Sequence, residues 1–475
     1  MELIGERAVV LGAGIGGLLA ARVLADHYCD VTLVERDELT DLAAARRGVP
    51  QGRHGHVLLA RSSQVLADLF PGFADDLAAD GVPSLSAGRT LSNICLSLNG
   101  HPIVRTDPPA TEESTLHFPS RPLLERTIRR RVQSLPNVTL IDGHDVTALT
   151  ATPGGDRVTG VRVTHRPQGT EHTIPASLVV DATGRGSRTP VFLDELGYTR
   201  PPEDELVVKL AYASQQLHIP DGALPEMFFA YFPTADRPKT WVLVRYENDT
   251  WMLTLGSIAG RPAPASRDEM LTWGEGFVAE HALTAVRAAT PLGEVEHYRV
   301  PSNRWRRYDK MKRFPQGLLV FGDAICSFNP IYGQGMTVAA VESTLLRECL
   351  RYGDRDLPQR FFRASAAKLR LAWQTAVGSD LSLPEVPGPR PLSMRLSNAY
   401  LDRVMRAAET DPVTALALLR VTGMLDSPLR LLRPAFVGRV ARVNGIGRGP
   451  RYEGNPGPRP PRSHSSARQL RASRI

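Results

Sequence analysis

Cysteine is scarce and scattered: Cys29, Cys95, Cys326 and Cys349 stand singly among 475 residues, with no Cys-x-x-Cys pair. Neither a zinc site nor a disulfide framework is expected from that pattern, and a reducing cytoplasm suits it. Long apolar runs are missing too. No stretch of 18 apolar residues occurs, so no membrane-spanning helix is expected. Met1-Glu2-Leu3-Ile4 passes straight into a strand and a glycine turn, without the basic region, apolar run and small-residue cleavage site of a secretory leader. Most of the chain also lacks an excess of either charge. Six arginines after residue 450 (Arg451, Arg459, Arg462, Arg468, Arg471 and Arg474) stand against one acid, Glu453, and account for +5 of the formal +7. The surplus therefore marks a Pro- and Ser-rich extension that is expected to be disordered, and no nucleic-acid partner is expected. No internal repeat is visible.

What is present is ordinary globular material, 42% hydrophobic and 23% charged, in a length that implies two or three domains. Arg7-Ala8-Val9-Val10-Leu11 reads as a buried parallel strand, Leu18 to Asp26 as a helix and Val31-Thr32-Leu33-Val34-Glu35 as a second strand. This βαβ unit opens a doubly wound sheet. Apolar spacing at Leu123, Leu124, Ile128 and Val132 predicts a helix from Arg121 to Leu135, and short strands near 138–141, 146–149, 157–164 and 177–181 are expected to form a small β-meander. Between about 205 and 257 the chain alternates and is rich in aromatics, which predicts antiparallel strands of a second sheet. The end, about 336 to 447, is helix-rich, with a breaker-rich interruption at Leu383-Pro384-Glu385-Val386-Pro387-Gly388-Pro389.

Gly12-Ala13-Gly14-Ile15-Gly16-Gly17 lies between the first strand and helix and fits G-x-G-x-x-G, with Glu35 and Arg36 ending the next strand at about the expected ~20-residue distance. Gly12 permits the turn, Gly14 lets the backbone approach a pyrophosphate, Gly17 allows the helix to pack closely on the strand, and the helix start stabilises phosphate charge. Glu35 suits a ribose diol and repels a 2′-phosphate, so the expected occupant is FAD or NAD rather than NADP. Residues 318 to 340 choose between them. An apolar strand ends there at Gly322-Asp323, and a turn with Pro330, Gly333 and Gly335 feeds an Ala-rich helix. A simple dehydrogenase has no use for a second strand, carboxylate and helix so far downstream, whereas FAD spans both elements. Asp323 then accepts from a ribityl hydroxyl, and backbone N–H groups near Gly335 and Met336 stabilise negative charge on reduced flavin. The competing reading is a turn with an Asp cap.

With Asp181-Ala182-Thr183-Gly184-Arg185-Gly186-Ser187 between them, these segments resemble, in order and spacing, the three motifs of the single-component flavin monooxygenases, the para-hydroxybenzoate hydroxylase superfamily. The resemblance implies that the middle motif, with Asp181 and Gly184, lies near the FAD pyrophosphate and the passing NAD(P)H. It implies too that the last motif contacts the ribityl chain and isoalloxazine, and that Arg121, in Ser120-Arg121-Pro122-Leu123-Leu124, contacts FAD. A narrower likeness, to the bacterial squalene-epoxidase-like flavin epoxidases of polyether biosynthesis, rests on three stretches. They are Gly48-Val49-Pro50-Gln51-Gly52-Arg53-His54-Gly55-His56-Val57-Leu58-Leu59, Leu178 to Ser187, and Asn303-Arg304-Trp305-Arg306-Arg307-Tyr308-Asp309. That group also contains other tailoring hydroxylases. The expected fold is α/β: a Rossmann-like FAD-binding domain in three pieces (1–85, 121–200 and 313–375), interleaved with an antiparallel-sheet substrate domain (86–120 and 201–312). A C-terminal helical region (376–448) and the basic tail (449–475) follow.

Arg53, His54 and His56 follow the ribose-binding strand in a loop that either reaches the flavin or pyrophosphate or lies on the surface. No acid or cysteine is spaced to make these histidines a metal site. The aromatic stretch 227–255 is expected to divide between a sheet core and an apolar pocket wall, because strand alternation sends half of its side chains to each face. Leu429 to Val440 reads as a helix closing the pocket, with its arginines on the wet face. The alternative is a peripheral membrane contact, as in squalene epoxidase.

As the resemblance implies, the chain is an enzyme in which NAD(P)H reduces FAD, O₂ adds at flavin C4a, and the hydroperoxide passes one oxygen to an apolar substrate. A polyene, terpenoid or polyketide of secondary metabolism is expected, with epoxidation of an alkene first and aromatic or aliphatic hydroxylation its nearest rival. The cofactor carries the chemistry, so no side chain is nominated as acid, base or nucleophile. A single G-x-G-x-x-G leaves two sources of electrons, a transiently bound nicotinamide or a separate flavin reductase. No tryptophan begins the Trp-x-Trp-x-Ile motif of flavin halogenases. A geranylgeranyl-reductase-type alkene reductase and a non-enzymatic flavin sensor or chaperone complete the alternatives.

Overall fold

The computed structural model describes residues 3–86, 88–108 and 115–446, so the expected basic tail and part of the 86–120 excursion lie outside the described residues. Ala8-Val9-Val10-Leu11 and Leu178-Val179-Val180-Asp181 show no polar alternation, as strands covered on both faces require. They pair in parallel at the centre of a five-stranded sheet. Its order is Leu318–Val320, Leu178–Asp181, Gly5–Leu11, Tyr28–Val34 and Val138–Ile141, every pair parallel. All five strands therefore point their C-terminal ends to one edge, the edge at which open α/β sheets take ligands. The Gly12 turn, Glu35, Asp181 and Gly322-Asp323 all sit there. Helix Ile15–Leu24 lies against helix Gln334–Leu350 over this sheet. Gly16 lies at this contact, where a Cβ would stand at ordinary packing distance, 3.6 Å from the Phe321 ring and 3.9 Å from Ala339.

Two of the strands expected in the meander belong elsewhere: Val138–Ile141 and Leu178–Asp181 are members of the parallel sheet. Leu178-Val179-Val180 is buried throughout, which marks a central strand rather than a half-wet cap. The meander is instead His144–Ala151, Val158–His165 and Glu171–Pro175. Its third strand carries no alternation, because Glu171, His172 and Thr173 are all exposed.

The second sheet has nine strands, almost all antiparallel. Its order runs Cys326–Ser327, Glu296–Arg306, Glu203–His218, Thr250–Ser257, Lys239–Arg245, Phe228–Tyr231, Ile94–Leu98 and His101–Pro102, with Thr290–Pro291 beside Glu203–His218. Ile94–Leu98 enters from the 86–120 excursion and pairs in parallel with Phe228–Tyr231, so that excursion is woven into the sheet. One face packs Phe229, Trp241, Leu253 and Leu255 against helices Arg267–Thr272 and Glu280–Ala288. The opposite face meets helices Leu392–Ala408 and Pro412–Thr422 through Ala230, Val244, Val404 and Leu418.

Helices Gln334–Leu350 and Leu357–Asp380 precede the breaker segment, which Arg390 gathers by donating to the carbonyls of Leu381, Leu383 and Val386. The expected single helix over Leu429 to Val440 is broken. A short turn, Pro428–Leu432, is followed by extended Arg433 and then helix Pro434–Ile446, because a residue before proline is pushed out of the helical region. Arg439 pairs with Asp411 at 2.6 and 2.7 Å instead of lying free in water, and Leu429 and Leu432 are exposed. Among the described residues no helix is long and apolar enough to cross a membrane.

One buried carboxyl ties strand Leu318–Val320 to both long helices. Glu342 accepts from the Gly322 N–H at 2.7 Å and from Ser365 Oγ at 2.5 Å. Burial pushes its carboxyl up to about 8, from 4.5, against these two hydrogen bonds. A raised native value means that this group's contribution is fully present below 4.5 and is lost as pH rises through 8. The melting temperature is therefore expected to fall more steeply between about pH 6 and 8 in the wild type than in Glu342→Gln, whose side chain stays neutral. Parallel melting curves would show that the fold does not hold Glu342 protonated.

Candidate functional site

A cavity of about 1370 Å³ opens at the carboxyl edge of the parallel sheet and runs on beneath the nine-stranded sheet. A single small-ligand site usually occupies about 300–1,000 Å³, so this one has room for two molecules. At its first end the glycine turn is shaped by contact. Gly12 has φ +93°, and a Cβ on it would come within 2.9 Å of the Ala182 carbonyl; one on Gly17 would stand 1.8 Å from the Gly12 carbonyl. Gly14 is different. A Cβ there would meet only Arg46, at 3.9 Å, and helix Ile15–Leu24 has no side-chain cap, so its first N–H groups are left to a ligand.

Glu35 braces that turn. Its Oε2 accepts from the Ala13 N–H at 2.7 Å, while Oε1 accepts from the N–H groups of Arg36 and Asp37 at 2.9 and 3.0 Å. Arg46, not picked out in the sequence, completes the arrangement. Its guanidinium lies 3.0 Å from both Glu35 and Asp37 and 2.7 Å from Glu125. Burial works against the charge on Arg46, but Glu125 and Glu35 outweigh it and hold the guanidinium firmly protonated.

Three further pieces converge on the middle of the cavity. Asp181 spends its oxygens on its own loop, accepting from Thr183 N–H and Oγ1, Ser187 Oγ and Thr189 Oγ1. Gly184 in that loop adjoins the last motif: a Cβ built on it would lie 3.9 Å from Asp323 Cβ. Asp323 is exposed to the cavity, and the protein around it raises its pKa while Arg121 and Arg185 oppose the shift. Arg121 opens a helix, Arg121–Gln133, that is capped by Ser120 Oγ on the Leu123 N–H. Its Nε has no hydrogen-bond partner among the described residues, and the nearest Glu125 oxygen is 3.6 Å from Nη2.

The turn Pro330–Tyr332 is capped by Asn329, and Gly333, at φ +66°, turns the chain into helix Gln334–Leu350. A Cβ on Gly335 would lie 3.6 Å from Asp323 Oδ1, which places the uncapped helix start beside that carboxylate. Pro330, Gly333, Gly335 and Met336 all line the cavity, as do Gly12, Gly14, Gly16, Glu35, Arg36, Arg121, Asp181 and Gly184.

Gly17 packs behind the turn, in the helix-packing role expected of it. Arg53 is placed elsewhere, in an exposed ion pair with Glu296 at 2.6 Å on a second cavity of about 780 Å³. His54 lines both cavities. Its Nδ1 is 2.8 Å from Ser214 Oγ, and its ring lies 5.7 and 5.5 Å from those of Tyr212 and Tyr298. Burial lowers His54 to about 4 and His56 to about 3, so both are neutral near pH 7. The aromatic stretch divides by strand alternation: Phe228, Phe232 and Val242 face the cavity, while Phe229, Tyr231 and Trp241 fill the core behind.

The residues present fit FAD. An uncapped helix start beside an open glycine suits a pyrophosphate, the unpartnered Arg121 donor and the Asp323 acceptor suit ribityl and phosphate oxygens, and a second bare helix start suits the flavin ring. Asp323→Ala is expected to weaken FAD retention by on the order of 1.5–3 kcal/mol, the worth of a hydrogen bond to a charged group. The apoprotein should melt close to the wild type, since Asp323 is exposed to the cavity. Flavin absorbance after gel filtration and apoprotein melting check both halves, and full flavin retention would remove Asp323 from the contact set.

A family model described as FAD binding domain matches residues 6–351. Protein Rv3254 of Mycobacterium tuberculosis is 39% identical over 448 residues, covering 92% of this chain and 94% of that protein. Kynurenine 3-monooxygenase of Salinispora arenicola is 28% identical over 427 residues, 84% of each chain. Two solved structures share the fold at low identity. The flavin-dependent brominase Bmp2 gives a TM-score of 0.62 at 15% identity, over 93% of this chain and 98% of its own. The p-nitrophenol 4-monooxygenase PnpA of Pseudomonas putida gives 0.60 at 17% identity, over 90% and 99%. The family match runs from the first strand through all three motifs to the end of helix Gln334–Leu350, and the chain belongs to the FAD-binding domain family, with the α/β fold of the flavin monooxygenases.

Proposed function

We propose that the protein is an FAD-dependent monooxygenase that uses NAD(P)H and O₂ to oxygenate an apolar substrate, epoxidation of an alkene being the leading reaction. The observation that carries this reading is the two-part character of one cavity. The flavin motifs line one part, and Leu96, Phe118, Phe228, Phe232, Val242 and Met405 wall the other. Bound FAD supplies the redox and oxygen chemistry. The imidazole and phenols at the junction are neutral. Burial keeps the imidazole of His54 unprotonated and raises the phenols of Tyr212, Tyr298 and Tyr332 above their ordinary range. The hydrocarbon walls of that other part exclude water from the reacting substrate, which supports an apolar alkene.

The likeness of Gly48 to Leu59 and Asn303 to Asp309 to the squalene-epoxidase-like epoxidases supports the same choice, and with it a polyene, terpenoid or polyketide of secondary metabolism, oxygenated in the cytoplasm. Hydroxylation is the second reading, favoured by the aromatic substrates in the names of kynurenine 3-monooxygenase and p-nitrophenol 4-monooxygenase. Electrons come from a transiently held nicotinamide or from a separate reductase, since a second glycine fingerprint is missing from the sequence.

The test is incubation of the FAD-loaded protein with NAD(P)H and a panel of polyenes and phenols under ¹⁸O₂. One ¹⁸O atom is expected in the product, in an epoxide from a polyene. A product formed without ¹⁸O would exclude a monooxygenase and point to alkene reduction.

A further inference from the structure

Asn303, Asn329 and Asp380 come from three separate elements and all have zero exposure. Asn303 lies in strand Glu296–Arg306, Asn329 caps the turn Pro330–Tyr332, and Asp380 ends helix Leu357–Asp380. Backbone donors fix the orientation of both amides. The Asn329 N–H donates to Asn303 Oδ1, and the Ile331 N–H donates to Asn329 Oδ1 at 3.0 Å. Each amide is therefore left with only its NH₂ to offer Asp380. Asn303 Nδ2 donates to Oδ2 at 2.6 Å and Asn329 Nδ2 to Oδ1 at 3.0 Å, and the Tyr332 hydroxyl adds a third donation to Oδ1 at 2.9 Å. Three donors leave position 380 no role except acceptor on both oxygens, which a carboxylate fills and an amide of the same shape does not.

We propose that Asp380 is a positioning residue for the flavin: it holds Asn329 and Tyr332, and through them the Pro330–Gly333 turn that sets the start of helix Gln334–Leu350 against the cofactor. The proposal rests on the reading of that turn as the flavin contact. Its neighbours Gly378, Ser379 and Ser382 line the same cavity, so the carboxylate joins the substrate side of the space to the turn. Burial pushes the Asp380 carboxyl up to about 6 against the three hydrogen bonds, so it is still ionised at neutral pH. The network also gives the Asn303 to Asp309 stretch a physical role at its first residue.

The test uses the full chain, Asp380→Asn, and the exchange Asn303→Asp with Asp380→Asn. The single variant keeps the volume but leaves one acceptor oxygen for three donors. In the exchange, the amide at 380 donates to the carboxylate at 303 and its carbonyl oxygen accepts from Asn329 and Tyr332, so every donor again has an acceptor. FAD dissociation constants, the positions of the bound-flavin absorption bands and apoprotein melting are measured for all three proteins. Asp380→Asn is expected to weaken FAD binding about tenfold or more and to shift the bands, and the exchange to restore both. Wild-type affinity and bands in folded Asp380→Asn would overturn the proposal, as would an exchange variant that folds but binds no better than the single one. If Asp380→Asn does not fold, the exchange alone decides: recovery of folding and FAD binding supports the proposal, and failure overturns it. Wild-type protein that takes up no FAD would instead overturn the flavin reading beneath it.

Discussion

One guanidinium makes the glycine-turn end of the site possible. Arg46 stands among Glu35, Asp37 and Glu125, which come from a strand end, the loop after it and a helix far along the chain. A buried carboxylate stripped of its partner costs several kcal/mol, and three within reach of one another also repel. With Arg46 between them they become anchor points. Glu35 then fixes the Ala13 N–H and with it the glycine turn, and Glu125 holds the helix that presents Arg121. The geometry of the middle and far ends inherits this alignment, because the turn, Asp181 and Asp323 all stand on neighbouring strands of the same parallel sheet.

The parts of the site that were legible in the sequence are those whose cause is local. Gly12, Gly17 and Gly333 are glycines because of a positive φ or a carbonyl within touching distance, and a spacing pattern records such needs directly. Arg46 was not legible, since its partner Glu125 is 79 residues away and nothing near Arg46 distinguishes it from Arg47. Asp380 was hidden for the same reason, with Asn303 and Asn329 lying 77 and 51 residues before it. Adjacent residues misled in the opposite way. Arg53 and His54 are neighbours in sequence, yet the short turn Pro50–Arg53 sends the first to a surface ion pair and leaves the second buried against Ser214.

The same distinction holds for the fold. The first βαβ unit and the aromatic strands were readable because period and burial agree. The meander was misdrawn because four short strands in a row look alike until their partners are known: Leu178–Asp181 finds Gly5–Leu11 and Leu318–Val320, and Glu171–Pro175 finds Val158–His165. The Leu429 to Val440 stretch kept its apolar periodicity through Arg433-Pro434, where the backbone does not.

The strand order also sets a schedule for synthesis on the ribosome. Gly5–Leu11 and Tyr28–Val34 emerge first, but the sheet gains its edge strand only when residue 320 has been made, after nearly the whole second sheet. Pairing across such sequence separations is slow, because a long loop must close before any contact rewards it. The glycine turn is thus made long before its Asp323 counterpart. The cleft that the glycine turn and Asp323 form between them is therefore complete only late in translation, after nearly the whole of both sheets.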